Sequence, residues 1–138
     1  GLRTSVEPAA LAAELERRLA LAPGHRVEEY GMTELSSQHY TPDLRRALGL
    51  EPPGPAGFRA PPWTRVRIVD PVGGEDVPEG EPGALVHWDL ANRASALVVQ
   101  TSDVGAWTGP ESFVLAGRAP DAEARGCSLA ADLWLGTA

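Results

Sequence analysis

The stretch Glu28-Glu29-Tyr30-Gly31-Met32-Thr33-Glu34-Leu35-Ser36-Ser37-Gln38 sets an aromatic ring, a glycine, a hydroxyl and a carboxylate in one short turn after an expected strand. Each group matches part of a nucleotide. A tyrosine ring can stack on a purine, a glycine lets backbone approach phosphate closely, and Thr33 and Glu34 supply a phosphate donor and a hard oxygen ligand for Mg²⁺. The same residues also fit an ordinary strand-to-loop junction with a buried tyrosine.

Around this turn, the bulk properties narrow the class. The chain has 138 residues, 43% hydrophobic and 22% charged, a composition for one globular domain with a modest core. Twelve basic against nineteen acidic residues give a net charge of -7. The basic residues are scattered, which disfavours nucleic acid and anionic membrane as partners. All twelve are arginines, so this chain cannot supply a catalytic lysine. Its single cysteine, Cys127, excludes an intrachain disulfide and a multi-cysteine metal site, and fits a reducing cytoplasm. No apolar run reaches the length of a membrane span, and the first residues lack the order of a signal peptide. A start at Gly1 rather than methionine points to processing, proteolysis or a cloned fragment.

Upstream of the turn, Leu11, Leu15 and Leu19 fall on one face of an amphipathic core helix between Glu7 and Leu21, ended by Pro23-Gly24. Residues 26–30 read as a strand, and Thr41-Pro42-Asp43 as the start of a short helix through Leu48, stopped by Gly49. Five prolines (52, 53, 55, 61 and 62) mark 51–63 as a connector between a first part, 1–50, and a second, 64–138. Beyond it the period changes to two. Residues 64–70 alternate as a half-buried strand, Pro71-Val72-Gly73-Gly74 turns, and 84–88, 96–100 and 113–115 read as short strands of a small barrel or curled sheet. His25 and His39 lack a partner at metal-ligand spacing.

Three motifs in order carry a resemblance. Tyr30-Gly31-Met32-Thr33-Glu34 resembles the adenine and magnesium motif of the adenylate-forming superfamily of acyl-CoA synthetases, adenylation domains and luciferases. Thr101-Ser102-Asp103-Val104-Gly105 resembles its Thr-Gly-Asp motif, and Gly117-Arg118 its Gly-Arg motif at the end of the large domain. The resemblance implies an α+β fold: the C-terminal part of an adenylate-forming large domain, a helix-strand layer followed by a small distorted β-barrel. It also implies ATP and Mg²⁺ as cofactors, with Tyr30, Gly31 and Met32 at the adenine, Thr33 on the α-phosphate and Glu34 on Mg²⁺. Asp103 would accept both ribose hydroxyls, and Arg118 would bridge ribose and phosphate. A carboxylate suits two hydroxyls because its two oxygens take two donors at once.

Within the superfamily, the wording of residues 29–38 with Trp88-Asp89-Leu90-Ala91-Asn92 and Arg125-Gly126-Cys127-Ser128-Leu129 is most similar to the acyl-protein synthetase (LuxE) family. That family activates fatty acids as acyl-AMP and passes the acyl group to a cysteine near its own C-terminus, before a reductase partner takes it. Cys127 would be that acceptor, with Arg125 favouring its thiolate; as a free cysteine it also suits a small buried filler. The resemblance implies as partners a fatty acid or other carboxylate, an acyl reductase, and a portion of the protein N-terminal to Gly1. That last portion would hold the Ser/Thr/Gly-rich phosphate loop, which 138 residues do not contain. Pro120 stands where lid-bearing relatives place an Asp or Lys hinge, so lid alternation is not expected. Two other readings remain open: a coenzyme A or coenzyme F390 type ligase, and a non-catalytic binding module keeping the fold.

Overall fold

A computed structural model describes residues 7–119. Helix α1, Pro8–Leu19, begins with a proline in its first turn, where the missing N–H has no intrahelical partner anyway. It closes on Arg17 and Arg18, favourably placed against the negative end of the helix dipole and both paired with Glu14. The leucine spacing gives the helix but not its burial. Leu11, Leu15 and Leu19 are 49, 44 and 63% exposed, and no residue of α1 is buried by the described residues. Among the described residues the expected core helix therefore keeps its apolar face open.

Seven strands follow: β1 Glu29–Tyr30, β2 His39–Tyr40, β3 Phe58–Arg59, β4 Thr64–Val69, β5 Gly83–Asp89, β6 Val98–Gly109 and β7 Ser112–Arg118. The short helix α2, Asp43–Ala47, lies between β2 and β3. The strands form one sheet in the order β1-β2-β3-β7-β6-β5-β4, and every pairing is antiparallel. Laid flat, seven strands would hold β1 and β4 roughly 29 Å apart. Tyr30 of β1 nevertheless shares one buried cluster with Val66 and Ile68 of β4, together with Leu85 and Phe113. The sheet thus curls on itself, as the distorted barrel in the sequence reading requires. Alternation along β4 places Val69 on the other face, where it packs with Ala84 and Val86.

Two local expectations change. The proline-rich stretch 51–63 is more than a connector, because β3 within it joins Tyr40 of β2 to Arg59 and Phe58 to Phe113 of β7. Gly57 makes that pairing possible: its φ is +118°, and an added Cβ would lie 2.3 Å from the Phe113 carbonyl oxygen. The strand expected over 96–100 instead runs from Val98 to Gly109, so Thr101-Ser102-Asp103 sits within a strand, where its pairing with β5 shifts register between Ala84 and Val86. A register shift between Val104 and Gly105 follows directly after it.

Candidate functional site

Tyr30 ends β1 with its ring turned inward, only 7% exposed, against His39, Phe58, His87 and Phe113 at centroid distances of 5.7 to 6.0 Å. Among the described residues the ring shows little open face to a purine, so this geometry favours the buried-tyrosine reading over the stacking expected from the sequence. What Tyr30 offers the site is its hydroxyl. It donates to Asp103 Oδ2 at 2.9 Å and lies 3.5 Å from His87 Nε2. Burial, then the Asp103 charge, push its pKa well above the ordinary value of 10, so the group stays a donor.

Asp103 on β6 stands opposite Arg118 on β7, and Arg118 Nε approaches Asp103 Oδ1 at 3.2 Å. The backbone is fixed as well: the Asp103 N–H donates to Thr101 Oγ1 at 3.1 Å, and that hydroxyl donates to the Leu85 carbonyl at 3.3 Å. A carboxylate has about four lone-pair positions, so one donor on each oxygen orients Asp103 and still leaves it able to accept two hydroxyls. Gly31, Met32, Thr33 and Glu34 line the same cleft of about 590 Å³ as Asp103 and Arg118. Thr33 Oγ1 donates to Glu34 Oε2 at 3.0 Å, and both residues are exposed. Six of the residues expected at the site therefore meet, and Tyr30 lies behind them.

The turn is held in place from β5. Asp89, 1% exposed at the strand's end, accepts the Ser36 and Ser37 N–H groups on Oδ2, both at 2.9 Å, and the Ser37 hydroxyl on Oδ1 at 2.9 Å. Its Oδ1 also accepts the Ala91 N–H at 3.0 Å, closing an Asx turn. Asn92 donates to the Glu34 carbonyl at 2.7 Å and to the Ala96 carbonyl at 2.9 Å. Thr33 and Glu34 are thus carried on a loop tied to β5 through five hydrogen bonds from or to Asp89 and Asn92: those of the Ser36 and Ser37 amides, the Ser37 hydroxyl, the Ser36 hydroxyl to Asn92 Oδ1, and the Glu34 carbonyl.

The turn lies in a stretch of sequence shared more widely. A family model for AMP-binding enzymes matches residues 2–88. The chain belongs to the AMP-binding enzyme family. No curated protein sequence matches this AMP-binding chain. Among solved structures, it is similar to the luciferase-like enzyme from the nonluminescent mealworm Zophobas morio, with a TM-score of 0.56 and 21% identity over 84% of this chain and 30% of that one. It is likewise similar to apo MatB from Rhodopseudomonas palustris, with a TM-score of 0.55 and 24% identity over 80% of this chain and 24% of that one. A third likeness is to the amide bond synthetase McbA from Marinactinospora thermotolerans, with a TM-score of 0.50 and 21% identity over 82% and 24%. The fold is that of a fragment of the adenylate-forming enzymes, and the chain spans a quarter to a third of the lengths it matches.

The AMP-binding match ends at Trp88, so Asp103 and Arg118 join the site through strand register and contact. Sequence reading missed the supporting roles of Asp89, Asn92, Thr101 and His87. For the first two a signal existed: Asp-Leu-Ala-Asn directly after an apolar strand is an Asx-turn pattern. The donor set fits an ATP ribose and the phosphate next to it: a two-oxygen acceptor, a guanidinium, a hydroxyl and one exposed carboxylate around one cleft. Among the described residues no group of three or more His, Cys, Asp or Glu side chains could hold a metal ion. A Mg²⁺ here would fit only as the usual shared ion, held by one carboxylate and by substrate phosphates. Cys127, with Arg125 and Gly126, and Pro120 lie outside the described residues. Among the described residues no helix is long and apolar enough to cross a membrane.

Proposed function

We propose that this chain is the C-terminal part of the large domain of an ATP-dependent acyl-activating ligase. The observation that carries the reading is the convergence of Asp103, Arg118, Thr33 and Glu34 on one cleft, with the Tyr30 hydroxyl orienting Asp103 from behind. Asp103 accepts the two ribose hydroxyls, Arg118 reaches from ribose to phosphate, Thr33 donates to the α-phosphate, and Glu34 holds Mg²⁺. When bound, Mg²⁺ neutralises phosphate charge. Gly31 keeps the turn tight, since an added Cβ would lie 3.3 Å from Gln38 Cγ, and Met32 adds an apolar edge for the adenine. No general base is required, because the carboxylate substrate is itself the nucleophile: its oxygen bonds to the α-phosphorus as the bond to pyrophosphate breaks. Catalysis is then alignment plus stabilisation of charge at phosphorus.

The finer reading is the acyl-protein synthetase type acting on a fatty acid in the cytoplasm, with an acyl reductase downstream. Its acceptor is Cys127: the thiolate attacks the acyl carbonyl, the C–S bond forms, the C–O bond to phosphate breaks and AMP leaves. The coarse reading is tested by carboxylate-dependent exchange of pyrophosphate into ATP, using the full-length protein. Glu34→Gln is expected to lower exchange at least tenfold and to raise the Mg²⁺ concentration for half-maximal rate; an unchanged rate and Mg²⁺ dependence would remove Glu34 from the site. Intact-mass measurement with ATP, Mg²⁺ and fatty acid tests the finer one. A hydroxylamine-labile acyl adduct on wild type that is absent from Cys127→Ser is expected, and its absence from both would end the cysteine proposal.

A further inference from the structure

A second cavity, of about 680 Å³, has no lining residue in common with the nucleotide cleft; its wall starts at Ser36, two residues beyond Glu34. We propose that it binds a small organic anion, an apolar or aromatic body ending in one carboxylate or phosphate group. One side of the cavity is cationic. On that side the lining residue Glu51 faces two lining guanidinium groups, with Arg59 Nη1 at 2.6 Å and Arg45 Nε at 3.4 Å. One carboxylate against two lining arginines leaves one positive charge in a chain whose net charge is -7.

One donor of the lining cluster is unmet: Arg59 Nε is buried and, like Glu51 Oε1, has no hydrogen-bond partner among the described residues. A guanidinium fork matches the two oxygens of a carboxylate or phosphate, so an anion held by Arg45 and Arg59 would offset the cavity's positive charge. Opposite the arginines stands Trp63, 51% exposed, its ring fixed by an indole N–H donated to Ser37 Oγ at 2.9 Å. With Pro61, Pro62 and Tyr40 it gives the cavity a flat apolar wall. Volume, wall and charge together match a site for a small molecule with one anionic end.

The test uses the full-length protein without ATP, so its outcome is independent of the nucleotide cleft. Benzoate, phenyl phosphate and neutral benzyl alcohol are titrated by calorimetry and by the NMR signal of the Trp63 indole N–H. Both anions are expected to bind and to shift that signal, with benzyl alcohol at least tenfold weaker; the tighter anion names the head group. Arg45→Gln removes a largely exposed side chain that the fold does not need, and is expected to weaken both anions at least fivefold while leaving benzyl alcohol unchanged. Arg59→Gln should do the same with the far-ultraviolet circular dichroism intact. Equal affinity for charged and neutral probes, no shift at Trp63, or anion binding indifferent to Arg45→Gln would overturn the site.

Discussion

His87 shows at a single residue how the core constrains chemistry. It is buried beside His39, with ring centroids 5.1 Å apart, and touches the Tyr30 hydroxyl that aims Asp103. Burial, and then the neighbouring histidine, push its pKa from 6.5 down to about 4, while Asp89 pulls weakly the other way. Between those values the unfolded chain binds a proton that the folded chain refuses, so stability must fall as pH drops from 6.5 toward 4, on the order of 3 kcal/mol over the window. His39, lowered mainly by burial, adds in the same direction. Urea unfolding from pH 7 to 4 measures this. A sloping profile that flattens in His87→Gln is expected, and a flat wild-type profile would contradict the buried neutral pair. Tyr30 itself was legible as a motif residue, and its burial as one of two readings that the sequence alone left open. That depends on His39, His87 and Phe113 arriving from three other strands, which no local pattern records.

Among elements, the tie between β5 and the 31–38 turn matters most to the site. Burial alone would raise the Asp89 pKa, but the Ser37 hydroxyl and the amides of Ala91, Ser36 and Ser37 outweigh it and hold the group below its ordinary 3.8. The stability this supplies is fully present above pH 3.8 and is lost as pH falls further, through the lower folded value. Asp89→Asn keeps the shape and removes the charge, and is expected to cost about 2–3 kcal/mol. Thermal unfolding and amide exchange check it: Ser36 and Ser37 should exchange faster in the variant, and unchanged protection would mean that the carboxylate does not hold the loop. Period-two alternation made β4 and β5 readable, because both bury one face. β3 was hidden because two residues between prolines carry no period, and the length of β6 because Thr-Ser-Asp reads as turn chemistry. Helix α1 was legible in its leucine spacing, whereas the partner for that spacing is absent from the described residues.

On the scale of the molecule, the curled sheet brings strands from both halves of the sequence to one cleft, and the anionic ligand cavity lies beyond the same loop. The order of the three motifs made this arrangement readable in outline; strand register then sets Asp103 opposite Arg118. Its central claim is that Asp103 receives the ribose hydroxyls of ATP. The direct measurement is calorimetric binding of ATP and 2′,3′-dideoxy-ATP to the full-length protein, wild type and Asp103→Asn. Wild type is expected to prefer ATP at least tenfold, consistent with two hydrogen bonds to a charged acceptor, and the variant to lose most of that preference with dideoxy-ATP binding little changed. A preference for ATP that survives intact in Asp103→Asn would contradict it.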